Sequence, residues 1–268
     1  MYLVNKLWGF CNKLRHDGVD PADYIEQLTY LLFLKMAKEK GVIVPEGYDW
    51  PSLVLKTDGD VIAHLESIFT KLNLEPGILG EIFAEPVSRV KNPKILKELI
   101  KEINNINWSE FDGDIVGLAF EELIGKVANE GKKGAGQYFT PRPLIQAIVN
   151  VVKPNPFESK KFKIGDVAVG TAGFLIVAYE WLKENIDIEK LSLSDKNRLV
   201  NQTYFGQELV QRPRRLALMN MFLHGINANI ALGDTIYGPQ DNNTFSCILS
   251  NPLLEIRVRI KSQIEISL

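Results

Sequence analysis

Cysteine and histidine are both scarce in this chain, and each scarcity removes a class of chemistry. Two cysteines, Cys11 and Cys247, cannot build a disulfide framework, so a reducing cytoplasm is the expected compartment. The three histidines, His16, His64 and His224, lie far apart, and no Cys/His pair has metal-ligand spacing, so no metal is expected. Long apolar runs are missing too. The longest, "LTYLLFLKMA", breaks at Lys35 and is too short for a bilayer. The start, "MYLVNKLWGFCNKLRHDG", has amphipathic spacing without the apolar region and cleavage site of a signal peptide. Nor does one charge dominate: 31 basic residues against 33 acidic leave a formal net charge of −2. That balance gives no broad basic footprint for nucleic acid, so any such partner would need positive field from elsewhere.

What is present is 46% hydrophobic residues, enough for a sizeable core, in a length that suits about two domains. Residues 1 to about 130 read as helical. "DPADYIEQLTYLLFLKMAKEKG" offers Asp20 as a cap, Pro21 in the first turn and Gly41 at the end, with Tyr24, Leu28, Leu31, Leu32 and Met36 at helical spacing. "GDVIAHLESIFTKL", "NPKILKELIKEINNI" and "DIVGLAFEELIGKVANE" predict three more helices. The glycines and lysines of "GKKGAGQYFTPRP" predict a mobile linker, then a helix start at Thr140-Pro141. Strand and helix alternate beyond it: helix 141–153, strand "KIGDVAV", helix 172–185, strand "TYFGQE", helix 212–225, then strands "ANIALGD" and "SCILS". This alternation predicts an α/β fold with a doubly wound parallel sheet. It divides the chain into a helical domain, 1–130, and a Rossmann-like domain, 131–268.

Such sheets bind ligands at the carboxyl ends of their strands. In "KIGDVAVGTAGFLIVAYEWL" a strand ends at Asp166, a glycine turn follows, and an apolar helix begins near Ala172. Gly170 and Gly173 permit close backbone approach, and the helix N-terminus offers N–H groups to a ligand. A tight βα turn that binds nothing would look similar. Asp166 favours the ligand, since a carboxylate there suits an ammonium group better than a pyrophosphate. Glu208 ends the next strand, where an acid can grip ribose hydroxyls, but it lies 38 positions past Gly170. Dinucleotide sites place that acid about 20 positions on. Asp234 ends the third strand and Asn251-Pro252 the fourth, so acids or amides close four successive strands.

Together "GQYFTPRPL", "DVAVGTAGFLI", "FGQEL" and "ALGDT" resemble the S-adenosylmethionine-site motifs of the modification (M) subunits of type I restriction-modification systems, which are N6-adenine DNA methyltransferases. The helical stretch around "YIEQLTYLLFLKM" resembles their N-terminal domain. The resemblance implies S-adenosylmethionine as cofactor and DNA as substrate. It implies a specificity (S) subunit, a restriction (R) subunit and a second M subunit as partners. Gln137, Tyr138, Phe139, Thr140, Pro141 and Arg142 would cover one side of the cofactor. Thr171, Ala172 and Gly173 would meet its methionine end, with Asp166 near the amino group. Glu208 would hold the ribose hydroxyls, Asp234 would lie beside the adenine, and Asn251 and Pro252 would be catalytic. Val167 and Val169 depart from the family, which more often has Pro and a small residue or Cys there.

A second departure is larger. The family's fourth strand ends in Asn-Pro-Pro-Phe, whose ring stacks on a target base flipped out of the duplex. Here Leu253 and Leu254 follow Pro252. Loss of one cytosine from the codons for Pro-Pro-Phe reads as Pro-Leu-Leu, so a frameshift after Pro252 is expected. On that expectation only the cofactor half of the sheet is encoded and activity is impaired. A non-catalytic cofactor-binding or subunit-interaction remnant is the alternative. A small-molecule methyltransferase or dinucleotide enzyme is a third, against which the FTP and Asn-Pro segments both argue.

Overall fold

The computed structural model describes residues 2–111, 113–130, 140–227, 229–238 and 244–252. Its first part is helical: α1 (Tyr2–His16), α2 (Tyr24–Ala37), the short α3 (Trp50–Val54), α4 (Val61–Leu72), the short α5 (Ile78–Ile82), α6 (Pro93–Asn104) and α7 (Gly113–Glu130). Every residue of α2 except Lys35 is buried, so this helix is enclosed rather than laid on a surface. Its start differs from the sequence expectation. Pro21–Asp23 form a 3-10 turn and Asp23, not Asp20, takes the N-cap position without a side-chain capping bond. The cause is a competing partner: the Asp23 carboxylate lies 2.7 Å from Arg212. The helix also stops at Ala37, short of Gly41. α6 begins as its sequence suggests, with the Asn92 side chain accepting from Lys94 N at 3.0 Å and Pro93 in the first turn.

The second part comprises α8 (Arg142–Val152), β1 (Ile164–Asp166), α9 (Gly173–Asn185), α10 (Leu193–Gln202), β2 (Tyr204–Glu208), α11 (Gln211–Leu223), β3 (Asn229–Leu232) and β4 (Cys247–Ile248). The four strands form one parallel sheet in the order β3-β2-β1-β4. α9 and α10 connect β1 to β2, and α11 connects β2 to β3. The chain therefore steps outward from β1 to β3, then returns to pair β4 on the other side of β1. The crevice between β1 and β4 is the switch point of the sheet. β1 is shorter than its apolar run because Val169 N already bonds to Gln207 O at 3.0 Å, folding the backbone over the end of β2. The sequence pattern gave no sign of α10, whose ten residues bury only Leu199.

The two parts share one apolar core, continuous from Leu3 to Leu249. α11 is the joint, touching α2, α5 and α7 on one side and β2 and β3 on the other. Two arginines fix it. Arg215 is buried, donates from Nε to Ile82 O at 2.7 Å and from Nη2 to Ala84 O, and pairs through Nη1 with Glu26. Its guanidinium also lies over the Tyr30 ring, 5.1 Å from the centroid. Arg214 joins Ile230 O of β3 at 2.7 Å to Glu81 of α5 at 2.8 Å. Among the described residues no helix is long and apolar enough to cross a membrane.

Candidate functional site

The carboxyl edge of the sheet gathers most of the strand-end residues singled out from the sequence. Asp166, at the end of β1, is 2% exposed. Its Oδ1 accepts from the Ser250 hydroxyl at 2.7 Å and from Ala168 N at 3.2 Å. Burial pushes its carboxyl up to about 6; the Ser250 and Ala168 hydrogen bonds oppose the rise and nearby Glu208 adds to it. A buried carboxylate of this kind is suited to receive a cationic ligand group.

Glu208, at the end of β2, is also buried, with Oε2 accepting from Gly170 N at 3.0 Å and Oε1 from Val210 N at 3.1 Å. It thus clamps the glycine turn to its own strand. A carboxylate has about four acceptor positions, so two remain for hydroxyl donors. Within the turn Gly170 has φ +54° and Ala172 has φ +68°, a left-handed conformation that is costly for alanine. Ala172 occupies the N-cap of α9 and supplies no side-chain cap, which leaves the helix start to backbone N–H groups. The residues at this edge therefore offer a carboxylate for an ammonium, a carboxylate for a diol and a helix N-terminus, and that set fits S-adenosylmethionine. Asp234 behaves differently. Its Oδ1 accepts from Ile236 N at 2.8 Å and Tyr237 N at 2.9 Å, so its carboxylate is turned into its own loop. Gly233 N bonds to Glu208 O at 2.9 Å, which keeps that loop beside β2.

Across the crevice, β4 continues through Ser250 to Asn251 and Pro252, both exposed. Asn251 Nδ2 lies 3.3 Å from Thr140 Oγ1, bringing together two segments 111 residues apart. Arg142, two residues on, has its guanidinium paired with Glu121 of α7 and Glu180 of α9. Two carboxylates thus share one partly buried guanidinium. Burial pushes Glu121 up to about 7, Arg142 opposes the rise and Glu180 contributes to it. Gln137, Tyr138 and Phe139, like Leu253 and Leu254, lie outside the described residues.

Four residues near this edge escaped the sequence reading: Ser250, Glu121, Glu180 and Asn220 of α11. A common signal marks the last three. Each is a polar residue inside an apolar helical run, in "LAFEELI", "VAYEWL" and "LALMNMFL". Among the described residues no group of three or more His, Cys, Asp or Glu side chains could hold a metal.

Comparison with known proteins gives consistent matches over both parts of the chain. The model of the N-6 DNA Methylase family matches residues 111–264, and that of the HsdM N-terminal domain matches residues 3–42. The type I restriction enzyme StySPI methylase subunit of Salmonella potsdam is 38% identical over 87% of this chain and 45% of its own length. The type I restriction enzyme EcoKI methylase subunit of Escherichia coli (strain K12) is 37% identical, with the same coverage of 87% and 45%. Among solved structures, a chain from work on the complex assembly and conformational transition of the type I R-M system superposes with TM-score 0.70. It is 28% identical, covering 87% of this chain and 51% of that one. The type I restriction-modification system methyltransferase subunit from Streptococcus thermophilus superposes with TM-score 0.67 at 20% identity, covering 94% and 63%, a likeness of fold. The chain spans about half the length of the curated relatives it matches.

Proposed function

Because this chain belongs to the N-6 DNA methylase family, we propose that it binds S-adenosylmethionine at the carboxyl edge of its sheet and serves adenine-N6 methylation of DNA in a type I restriction-modification system. The observation that carries this is the placement of Asn251. It extends β4 just past Ser250, whose hydroxyl is on Asp166, and reaches Thr140 of the FTP segment. Cofactor edge and Asn-Pro motif thus face one crevice.

The bound cofactor supplies an electrophilic methyl group. Asp166 holds a cationic amino group, and the Thr171-Ala172-Gly173 turn seats the adjoining methionine end. Glu208 takes the ribose hydroxyls on its remaining acceptor positions, and the Asp234 loop borders the adenine. Thr140 and Pro141 border one side, with Arg142 paired to Glu121 and Glu180 behind them; Gln137, Tyr138 and Phe139, which lie outside the described residues, would extend that cover. The Asn251 carboxamide oxygen and the Pro252 carbonyl accept from the N6 amino group of a flipped adenine, which aims its lone pair by positioning and electrostatics. DNA is the substrate, with the specificity and restriction subunits and a second modification subunit as partners in the cytoplasm. The division into a helical part, 1–130, and a cofactor part, 131–268, belongs to the same proposal, with α7 shared because the methylase match begins at residue 111.

Calorimetry with S-adenosylmethionine tests the site. The wild-type chain should bind, and Glu208→Ala should weaken binding by about tenfold or more through lost hydroxyl contacts and a loosened turn. Equal affinities in the two proteins would reject the assignment.

A further inference from the structure

Behind the glycine turn, on the side of the helical part, lies a polar brace that the proposed reaction does not use. At its centre is Asn220, fully buried within α11. Its Nδ2 donates to Thr171 O of the turn at 3.0 Å and lies 3.5 Å from Glu121 Oε1. Thr171 O can only accept, so the amide must present its NH2 there, and a flipped orientation is excluded. Asn220 Oδ1 meets no hydrogen-bond partner among the described residues. A buried polar residue kept with one acceptor unsatisfied costs stability, which favours a role for its donor edge.

The brace extends further. Glu121 pairs with Arg142 at the start of α8, and Arg142 pairs in turn with Glu180 of α9. α7 can come close enough for this because residue 117 is glycine: a Cβ there would sit 2.4 Å from Cε1 of the ring of His224, the C-cap of α11. Four helices thus converge on the back of one turn.

We propose that Asn220 is a positioning residue for the cofactor turn. It holds Thr171 from behind and, through Glu121, ties the turn to Arg142 and the Thr140-Pro141 segment that lies across the crevice. This rests on the functional reading above, since it assigns the turn to S-adenosylmethionine. The helical part then contributes to cofactor binding through Glu121 without touching the ligand.

The test uses the full chain, with Asn220→Leu to remove the donor and Glu121→Gln to keep an uncharged acceptor in its place. Amide hydrogen exchange without ligand should quicken about tenfold or more across residues 168–174 in Asn220→Leu, while α2 and α4 keep their wild-type rates. S-adenosylmethionine binding by calorimetry should weaken about tenfold in Asn220→Leu and by a smaller factor in Glu121→Gln, which keeps an acceptor for Asn220 but loses the charge that pairs with Arg142. A merely structural role would speed exchange throughout and leave the affinity of the folded protein unchanged; that result would overturn the proposal. So would wild-type exchange in the turn of Asn220→Leu. A wild type that binds S-adenosylmethionine while Asn220→Leu binds equally well refutes this inference alone. A wild type that does not bind it refutes the functional reading and this inference together.

Discussion

Removing the Arg215 guanidinium should cost more stability than any exposed charge in the molecule, and the structure indicates how much. The side chain is 2% exposed, is held by Glu26 and by two carbonyl oxygens, Ile82 O and Ala84 O, and covers Tyr30. Arg215→Ala strands a carboxylate that is itself only 9% exposed. Breaking a buried pair from one side costs about 3–5 kcal/mol. Glu26 retains some support, from Arg212 Nε at 3.8 Å and the Tyr30 hydroxyl at 3.4 Å, so the lower half of that range is expected. For a chain of this size the fall in Tm should be on the order of 10 °C. Arg215→Met with Glu26→Leu removes both charges and keeps the volume, and should recover all but about 1–2 kcal/mol, the remainder being the two carbonyls left unpaired. Urea unfolding followed by circular dichroism reads both variants. A loss below about 1 kcal/mol in Arg215→Ala, or a double variant no better than the single one, would refute the view that this pair joins the two parts of the fold.

Asp166 predicts a pH dependence of both folding and binding. Its carboxyl rises from 3.8 to about 6 on folding, so the native state holds this proton more tightly and loses up to about 3 kcal/mol as pH climbs from 4 through 6. Asp166→Asn should flatten that part of the stability profile measured by urea unfolding. S-adenosylmethionine should bind more tightly as pH rises through about 6 and Asp166 ionises, a trend calorimetry should find absent in Asp166→Asn. Ser250→Ala removes a hydrogen bond that favours the ionised form and should move the titration higher, as carboxyl-carbon NMR would read. Gly117→Ala places a methyl within 2.4–2.7 Å of three atoms of the buried His224 ring and should cost about 1–3 kcal/mol in thermal unfolding, with an unchanged Tm refuting the close approach of α7 to α11.

The parallel sheet was legible because its cues are local. Asp166, the glycine turn and the apolar run of α9 stand within twenty residues, and the same theme recurs at Glu208 and Asp234. α10 was not legible: with Leu199 as its one buried residue it lacks an apolar stripe. The α2 start was misplaced for a different reason, since the partner that draws Asp23 away, Arg212, lies in another helix. The Asn220 brace depends on α7, α8, α9 and α11 meeting, and periodicity along one helix cannot show which polar residues will face one another. Asp234 was found as a strand end, whereas the turn of its carboxylate toward Ile236 N and Tyr237 N is set by loop geometry that no spacing encodes.

The enclosure of α2 has a consequence for synthesis. Its apolar surface faces every direction, yet one of the walls that cover it, α11, arrives 189 positions later along the chain, as measured from Glu26 to Arg215. At about 5–20 residues per second a ribosome takes roughly 10–40 s to supply that wall. Hydrophobic collapse of a chain this long is faster by several orders of magnitude. The emerging N-terminal helices must therefore wait half-built, with the flank of α2 that will receive Phe222 and Arg215 open to solvent. Until α11 emerges, that flank stays an exposed apolar surface on an incomplete fold.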